Sequence, residues 1–212
     1  MCHGLAFCKI GDTSWTALDG TSYPYIDLVY FSEHQLFYAL GSFGLEAWDL
    51  RNPVSPKCSV VTKSTIPGIT FMHCRLVVSS GDLLLVKRYF STDYPFTLSA
   101  KWPPLPKDAP TVFFEVYKFD FVRKEWVGKR DLGDQVLFVG ANHSESLSAN
   151  DFPPGLLIPN SIYFTTDRGI SRISKGNDLG FFNLDDRIIR RWGRLKKKKN
   201  KVQPTPSWIV PL

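Results

Sequence analysis

The stretch FEVYKFDFVRKEWVGKRDLGDQVLFVG, residues 114–140, decides the fold. It holds an apolar run, a charged turn, a tryptophan that opens a second run, and a third apolar run after Asp-Leu-Gly-Asp. Short apolar runs bounded by Asp, Gly and Lys are typical of strands joined by tight turns. The stretch therefore predicts antiparallel β-structure rather than a catalytic motif.

A short form of this stretch recurs along the chain. Its members share the order apolar, any residue, apolar, aromatic or Cys, polar, apolar, and each precedes a turn-forming sequence. They are LAFCKI from Leu5, LEAWDL from Leu45, FEVYKF from Phe114 and LGFFNL from Leu179. Trp15 and Trp126 open the strands that follow two of them. Because large aromatic side chains bury much area, we expect both rings to pack between neighbouring sheets.

A second kind of hairpin alternates with the first. It appears as IDLVYF–SEH–QLFYAL from Ile26, as CRLVVS–SGD–LLLVKR from Cys74, and as QVLFVG followed by SIYFTT after a long insert, residues 142–160. An inner hairpin followed by an outer hairpin predicts a four-stranded antiparallel blade, and blades of this kind stack radially as a β-propeller.

The positions of these hairpins predict blades over residues 26–63 and 74–132, an outer hairpin at 5–18, and a third blade from Gln135 whose last strand is 207–210. The prolines in the two long inserts, residues 94–110 and 142–160, favour surface loops there. Propellers close with four to eight blades. We therefore expect an all-β partial propeller of about three and a half blades, in one domain spanning residues 1–212, with poor solubility because a blade face stays exposed.

The wording of these segments resembles the plant F-box-associated β-propeller domain of SKIP-type and KIB-type F-box proteins. The resemblance rests on residues 76–88, 116–155 and 160–167, and on SWTALDG, LEAWDL and PSWIVP. It implies a kelch-like propeller that captures a protein partner, and, in members with an F-box, a substrate receptor of a cullin ubiquitin ligase. We find no F-box before Leu5, so we expect no Skp-like adaptor to bind unless an F-box is supplied upstream.

The formal charge of +6 is concentrated in residues 187–201, and the rest of the chain is close to neutral. We predict a basic loop over residues 187–206. Its cations are candidates for a nuclear-localisation signal or a polyanion-binding site, and nucleic acid is the partner that this second interpretation implies. The alternative is a solvated loop without a partner. The candidates are Arg190, Arg191, Arg194, Lys196, Lys197, Lys198, Lys199 and Lys201.

The search for catalytic groups favours a protein that is not an enzyme. His34 lies in a turn where we expect it to be solvated, His73 opens a strand where packing is expected, and His143 lies in a loop without a nucleophile-elbow pattern. Asp134 and Asp151 are interpreted as structural anchors of loops. No Gly-rich phosphate loop is found, so we predict no cofactor.

The four cysteines are scattered, and the spacing of Cys2, His3 and Cys8 matches no common metal-ligand pattern, so no metal site is predicted. No apolar run approaches the roughly 18 residues of a membrane span, and the N-terminus is not a persuasive signal peptide. We expect a cytoplasmic or nuclear, non-enzymatic protein-interaction module. The alternatives are a subunit of a cullin ubiquitin ligase and a protein that binds nucleic acid through its basic segment.

Overall fold

The computed structural model describes residues 4–21, 24–63, 73–91, 110–140, 143–165 and 178–192. Apart from short 3-10 turns, such as Ala149–Asp151, the regular elements of these residues are β-strands. Within the same residues, no helix is both long and apolar enough to cross a membrane. The strands are β1 (Leu5–Phe7), β2 (Thr16–Leu18), β3 (Tyr25–Phe31), β4 (Leu36–Gly41), β5 (Gly44–Asp49), β6 (Lys57–Thr62), β7 (Cys74–Ser79), β8 (Asp82–Phe90), β9 (Thr111–Asp120), β10 (Glu125–Lys129), β11 (Gln135–Val139), β12 (Ser144–Ser148), β13 (Ser161–Phe164), β14 (Gly180–Asn183) and β15 (Ile189–Arg191).

The strands form the predicted hairpin and the two predicted four-stranded blades. β1 pairs antiparallel with β2. One blade has the order β3-β4-β5-β6 and the other the order β7-β8-β9-β10. Turn residues with left-handed backbones make the tight connections, at Gln35 (φ 55°) between β3 and β4 and at Gly44 (φ 134°) between β4 and β5. Glycine has no Cβ, so it adopts such angles without strain.

The third sheet differs from the predicted blade. It has five strands in the order β12-β11-β13-β14-β15. β11 pairs in parallel with β13, so QVLFVG and SIYFTT are not the two arms of a hairpin. β12, which lies inside the insert predicted as a loop, pairs antiparallel with β11 on its other side.

The prediction of a basic loop over residues 187–206 is wrong for the first part of this range, because Ile189–Arg191 is a strand. β15 pairs antiparallel with β14, with Arg191 opposite Gly180. A Cβ at Gly180 would collide with the Arg190 carbonyl oxygen, so glycine permits this close approach. The predicted last strand, 207–210, lies outside the described residues.

The chain divides into two compact units. Unit 1 comprises residues 1–86 and 116–128, and unit 2 comprises residues 87–115 and 129–212. The core of unit 1 joins β3, β4 and β5 to β7, β8 and β9, with Phe31, Leu45, Leu76 and Phe119 at most 1% exposed. One cluster of the unit 2 core packs Val136, Phe138, Tyr163 and Phe181 together.

The two tryptophans that open outer strands behave differently. Trp126 packs against the core of unit 1, with its ring centroid 4.9 Å from that of Phe119. This contact confirms its predicted packing role. Trp15 is 73% exposed, so the same prediction is wrong for Trp15. The β1–β2 hairpin forms a separate two-stranded sheet, and among the described residues no further strand pairs with it to cover that ring.

Candidate protein-interaction site

A cleft of about 450 Å³ lies at one end of unit 1, within the usual size range of ligand pockets. The turn from β7 to β8 forms one side, and the last residues of β9 with the start of the following turn form the other. Its lining combines apolar, aromatic and charged side chains. The lining residues are Gly81, Asp82, Leu83, Lys118, Phe119, Asp120, Phe121 and Val127.

Two turns shape this cleft for local reasons. Ser80 (φ 48°) and Gly81 (φ 74°) turn the chain from β7 into β8 with left-handed backbones. On the other side, Asp120 Oδ1 accepts hydrogen bonds from the amides of Val122 (2.8 Å) and Arg123 (2.9 Å). An aspartate that binds the backbone two residues on is a common way to fix a turn. The conformation of each wall is therefore determined by the residues of its own turn.

The charges in the cleft belong to two carboxylates and one ammonium group. Lys118 Nζ lies 2.6 Å from Asp82 Oδ1, and the lysine side chain is 49% exposed. Hydrogen bonds from the backbone of Arg123, and from that of Val122, hold the pKa of Asp120 below its ordinary value. Asp120 is therefore ionised at neutral pH. Its second oxygen, Oδ2, lies 3.9 Å from Arg123 Nε, too far for a hydrogen bond.

Aromatic rings support the cleft from behind. The Phe121 ring lies edge-on to Phe119 (4.9 Å) and to His34 (4.8 Å). His34 stacks on Phe31 at 4.2 Å, and its Nδ1 lies 2.7 Å from the Tyr38 hydroxyl. His34 is in the predicted turn and on the surface, but it is not simply solvated, because these contacts fix its ring. Exposed apolar side chains lie at and beside the rim: Val127, which lines the cleft, is 43% exposed, and Val122, which follows the lining residue Phe121, is 92% exposed.

The structure gives the described residues of the basic segment internal partners. Arg190 pairs with Asp186, with 2.5 Å between Nη2 and Oδ2. Arg191 donates to the Thr111 carbonyl oxygen, and its Nε lies 3.5 Å from Asp178 Oδ1. The other predicted residues of this set, Arg194, Lys196 to Lys199 and Lys201, lie outside the described residues.

A buried ionic group lies in unit 2, and no sequence pattern predicted it. Arg88 and Asp178 are each 8% exposed. Arg88 donates to Asp178 Oδ2 (3.1 Å), to the Thr111 hydroxyl (2.6 Å) and to the Thr165 carbonyl oxygen (2.7 Å). Its guanidinium also lies 4.9 Å from the ring centroid of Phe164. Because these charges are enclosed and bonded inside unit 2, they act in its packing rather than as a surface site.

Unit 1 contains a second buried carboxylate. Glu46 is 0% exposed, and it accepts hydrogen bonds from the Thr21 amide (2.8 Å), the Thr21 hydroxyl (2.7 Å) and the Tyr25 hydroxyl (2.5 Å). These bonds attach Thr21, before β3, and Tyr25, the first residue of β3, to β5. Burial, followed by the charge of Glu46 and a hydrogen bond to it, raises the pKa of the nearby Cys58 thiol to about 12. Cys58 is nevertheless exposed at the surface, so we expect the raised pKa, rather than lack of access, to make its thiol a poor nucleophile.

The remaining predicted polar residues have structural surroundings. Asp134 accepts from the Ser148 hydroxyl (2.5 Å) and from the Asn150 amide group (3.1 Å), which confirms it as a loop anchor. Asp151 lies in the 3-10 turn. His143 is exposed, and its described contact is with Glu145 at 2.8 Å. Among the residues that the structure describes, no group of His, Cys, Asp and Glu side chains could hold a metal ion; Cys2 and His3 are not among them.

Comparison with known proteins identifies the fold family. The family model described as the KIB1-4 beta-propeller matches residues 2–183. The chain belongs to this family. The KIB1-4 beta-propeller assignment confirms the resemblance drawn from the repeated segments, and the antiparallel blades of the structure agree with it.

This KIB1-4 beta-propeller chain is similar to F-box proteins of a plant. The F-box protein SKIP23 of Arabidopsis thaliana is 28% identical over 218 residues, covering 97% of this chain and 51% of the relative. A putative F-box protein of the same plant is 27% identical over 185 residues, covering 85% of this chain and 46% of its own length. The chain thus spans about half the length of these relatives. No solved structure gives a significant match.

The sequence placed neither the cleft nor the buried carboxylates. The cleft unites residues 81–83 with residues 118–121 and Val127, and only the pairing of β8, β9 and β10 brings them together. The one local signal is Phe-Asp-Phe at residues 119–121, where a carboxylate stands between two aromatic rings at a turn.

Proposed function

We propose that this chain is a non-enzymatic protein-interaction module that contacts its partner through the cleft of unit 1. The observation that carries the proposal is the cleft itself, with its fixed turns, ionised Asp120 and exposed apolar rim. Membership of a β-propeller family found in F-box proteins supports the same role. A site of this kind suits recognition, since aromatic and apolar groups supply contact area and a few charges supply orientation.

The test is affinity capture from nuclease-treated Arabidopsis extract, with the bound proteins identified by mass spectrometry. The wild-type chain is compared with a cleft variant, Asp120→Asn with Phe121→Ala, and with the control Asp49→Asn. Asp49 also binds a local arginine, Arg51, and the amide of the same residue, but it does not line the cleft. We expect a defined protein to be captured by the wild type and the control and lost from the cleft variant. Equal capture by all three would contradict the proposed contact site.

We further propose that, where an F-box is present in the same polypeptide, the module acts as the substrate receptor of a cullin ubiquitin ligase. The support is that SKIP23 and the second relative are named F-box proteins and are about twice as long as the region that matches this chain. The chain is tested for binding to a purified Skp-like adaptor with and without a fused F-box. Binding only with the fused F-box is expected, and binding without it would overturn the expectation that this chain does not dock on the adaptor.

The basic segment is proposed as a nuclear-localisation or polyanion-binding element. Because Arg190 and Arg191 bind Asp186, Asp178 and the Thr111 carbonyl oxygen, this role falls to Arg194, Lys196 to Lys199 and Lys201. The test replaces these six residues by Gln in a fluorescently tagged chain. We expect loss of nuclear accumulation and of salt-sensitive RNA binding, since each phosphate contact adds to the salt dependence. Unchanged distribution and unchanged RNA binding would sink this second role.

A further inference from the structure

We propose that the cleft of unit 1 binds an arginine side chain of the partner protein, between the carboxylates of Asp82 and Asp120 and against the aromatic group around Phe121. The inference rests on the proposed function, because it names the chemistry of the partner at that same cleft. An arginine fits this lining by both shape and charge, whereas an acidic or purely apolar side chain fits only part of it.

The first step is charge. Among the lining residues Asp82 and Asp120 are acidic and Lys118 is basic. The carboxylate of Glu33 approaches Gly81 at the same end of the unit, and Arg123 Nε lies 3.9 Å from Asp120 Oδ2, so three carboxylates face two cations. Cations are therefore favoured. Asp120 fixes its turn with Oδ1, so Oδ2 can accept an incoming donor without disturbing that turn. A guanidinium carries its donors in a planar fork, which suits two carboxylate groups better than an ammonium does.

The second step is the aromatic surface. A guanidinium stacks on ring faces and is weakly hydrated for a cation. Phe121 lines the cleft, and His34, Tyr38 and Phe119 hold its ring in place from 4.8 to 5.6 Å. A ring held on several sides loses little freedom when a ligand packs on it. The apolar stem of an arginine would then lie toward Val127 at the rim.

The third step is a precedent within the same chain. In unit 2, Arg88 is held by a carboxylate, Asp178, and by ring centroids of Phe164 and Phe90 at 4.9 and 5.0 Å. The cleft in unit 1 presents the same two components, carboxylate and phenylalanine, around an open volume. In that volume Lys118 supplies a cation to Asp82 from one wall, with its own side chain half exposed.

Lys118 makes the proposal testable in two directions. Asp120→Asn removes an attractive charge and keeps the oxygen that caps the turn. Lys118→Met removes a competing cation of similar length. An exposed ion pair contributes up to about 1 kcal/mol. The first change should therefore weaken arginine binding roughly two- to fivefold, and the second should strengthen it by a similar factor.

The experiment is a titration of the isotopically labelled full chain, followed by amide NMR shifts. The probes are N-acetyl-arginine methylamide and its lysine, norleucine and glutamate counterparts. We expect the arginine probe to shift the amides of Gly81, Leu83 and Phe121 more than the other probes, with binding that weakens in Asp120→Asn, strengthens in Lys118→Met and is unchanged in Asp49→Asn. Each variant's spectrum shows directly whether it is folded.

The outcomes separate this inference from the proposed function. Equal shifts with the arginine and norleucine probes, or larger shifts with the lysine or glutamate probe, would overturn the arginine assignment. The same affinity for the arginine probe in Asp120→Asn and Lys118→Met would also overturn it. If a partner is nevertheless captured in a cleft-dependent way, the proposed function stands without it. If the arginine probe binds as expected but no protein is captured, the interaction role fails while the chemistry of the cleft holds.

Discussion

Replacing Arg88 by methionine tests whether the buried ionic group holds unit 2 together. Methionine keeps an unbranched apolar stem but removes the three hydrogen bonds to Thr111, Thr165 and Asp178. It also leaves the Asp178 carboxylate without its buried cation. Breaking a buried pair by removing one partner costs about 3–5 kcal/mol. Asp178 keeps the Thr111 amide (2.7 Å) and hydroxyl (2.5 Å) as donors, and Arg191 Nε remains 3.5 Å from its Oδ1. These contacts place the loss near the lower end, about 3 kcal/mol.

The assay is urea unfolding of the full chain, followed by circular dichroism, with thermal unfolding as a second measurement. For a chain of this size a loss of 3 kcal/mol corresponds to a fall in Tm of roughly 6–12 °C. Arg51→Met is the matched control. Arg51 also makes two side-chain hydrogen bonds to a carboxylate, at 2.9 and 2.6 Å to Asp49, but its side chain is 66% exposed. The control should therefore leave the unfolding midpoint almost unchanged.

A double-mutant cycle with Asp178→Asn measures the interaction energy between Arg88 and Asp178 separately from the destabilisation that any change of a buried residue causes. A coupling of more than about 1 kcal/mol between the two sites is expected for partners in direct contact. If Arg88→Met unfolds at the same urea concentration as Arg51→Met, or if the two changes at Arg88 and Asp178 are additive, the buried pair does not stabilise unit 2 and the reasoning fails.

Three further predictions follow from single contacts. Because the pKa of the Cys58 thiol is raised to about 12, only about one molecule in 10⁴ carries the reactive thiolate at pH 8. Cys58 and Cys8 are both exposed, so slower modification of Cys58 than of Cys8 by iodoacetamide, followed by peptide mapping, is expected from the raised pKa and not from access; equal rates would contradict the raised pKa. Hydrogen bonds from Ser148 and Gln135 lower the pKa of Asp134, so its stabilising effect is present above the unfolded value of 3.8 and is lost as pH falls through the lower folded value. Asp134→Asn should therefore flatten the urea midpoint against pH below about 4, and a profile parallel to that of the wild type would exclude this contribution. Leu28 and Tyr30 are 46% and 48% exposed on one face of β3, and such an apolar surface favours self-association. Changing both residues to Lys should reduce light scattering at high protein concentration, whereas the control Val122→Lys, next to the cleft, should not. Equal reductions would show that the face of β3 is not responsible for self-association.

The sequence could predict those parts of the fold that local order determines. The blades of residues 25–62 and 74–129 follow from period-two apolar runs and from turn residues that lie between consecutive strands. The third sheet could not be predicted this way, because β11 and β13 pair in parallel across an insert of more than twenty residues. The strand β12 was missed for a related reason. Its sequence, SESLS, is mostly polar, and its pairing with β11 rather than its own pattern makes it a strand.

The candidate site was hidden for the same physical reason. Phe119 and Asp120 read as the end of one strand, and β9 ends there. Gly81 and Asp82 read as a hairpin turn, and the structure has Gly81 in the turn and Asp82 as the first residue of β8. Only the pairing of neighbouring strands puts the two turns beside each other. The basic segment shows the opposite error. Its charge was obvious in the sequence, yet Arg190 and Arg191 are engaged by carboxylates that no spacing rule linked to them.

Asp120 shows how one residue can serve the scaffold and the site through different atoms. Its Oδ1 fixes the turn between β9 and β10, while Oδ2 is the oxygen offered to a ligand. Asn retains an acceptor for the turn but loses the charge, and Ala loses both. If the two roles are separable, Asp120→Asn should keep the unfolding midpoint near that of the wild type and weaken binding of the arginine probe, while Asp120→Ala should lower both. Should Asn destabilise the chain as much as Ala does, the charge itself would be needed for the turn, and the loss of binding could not be assigned to the cleft.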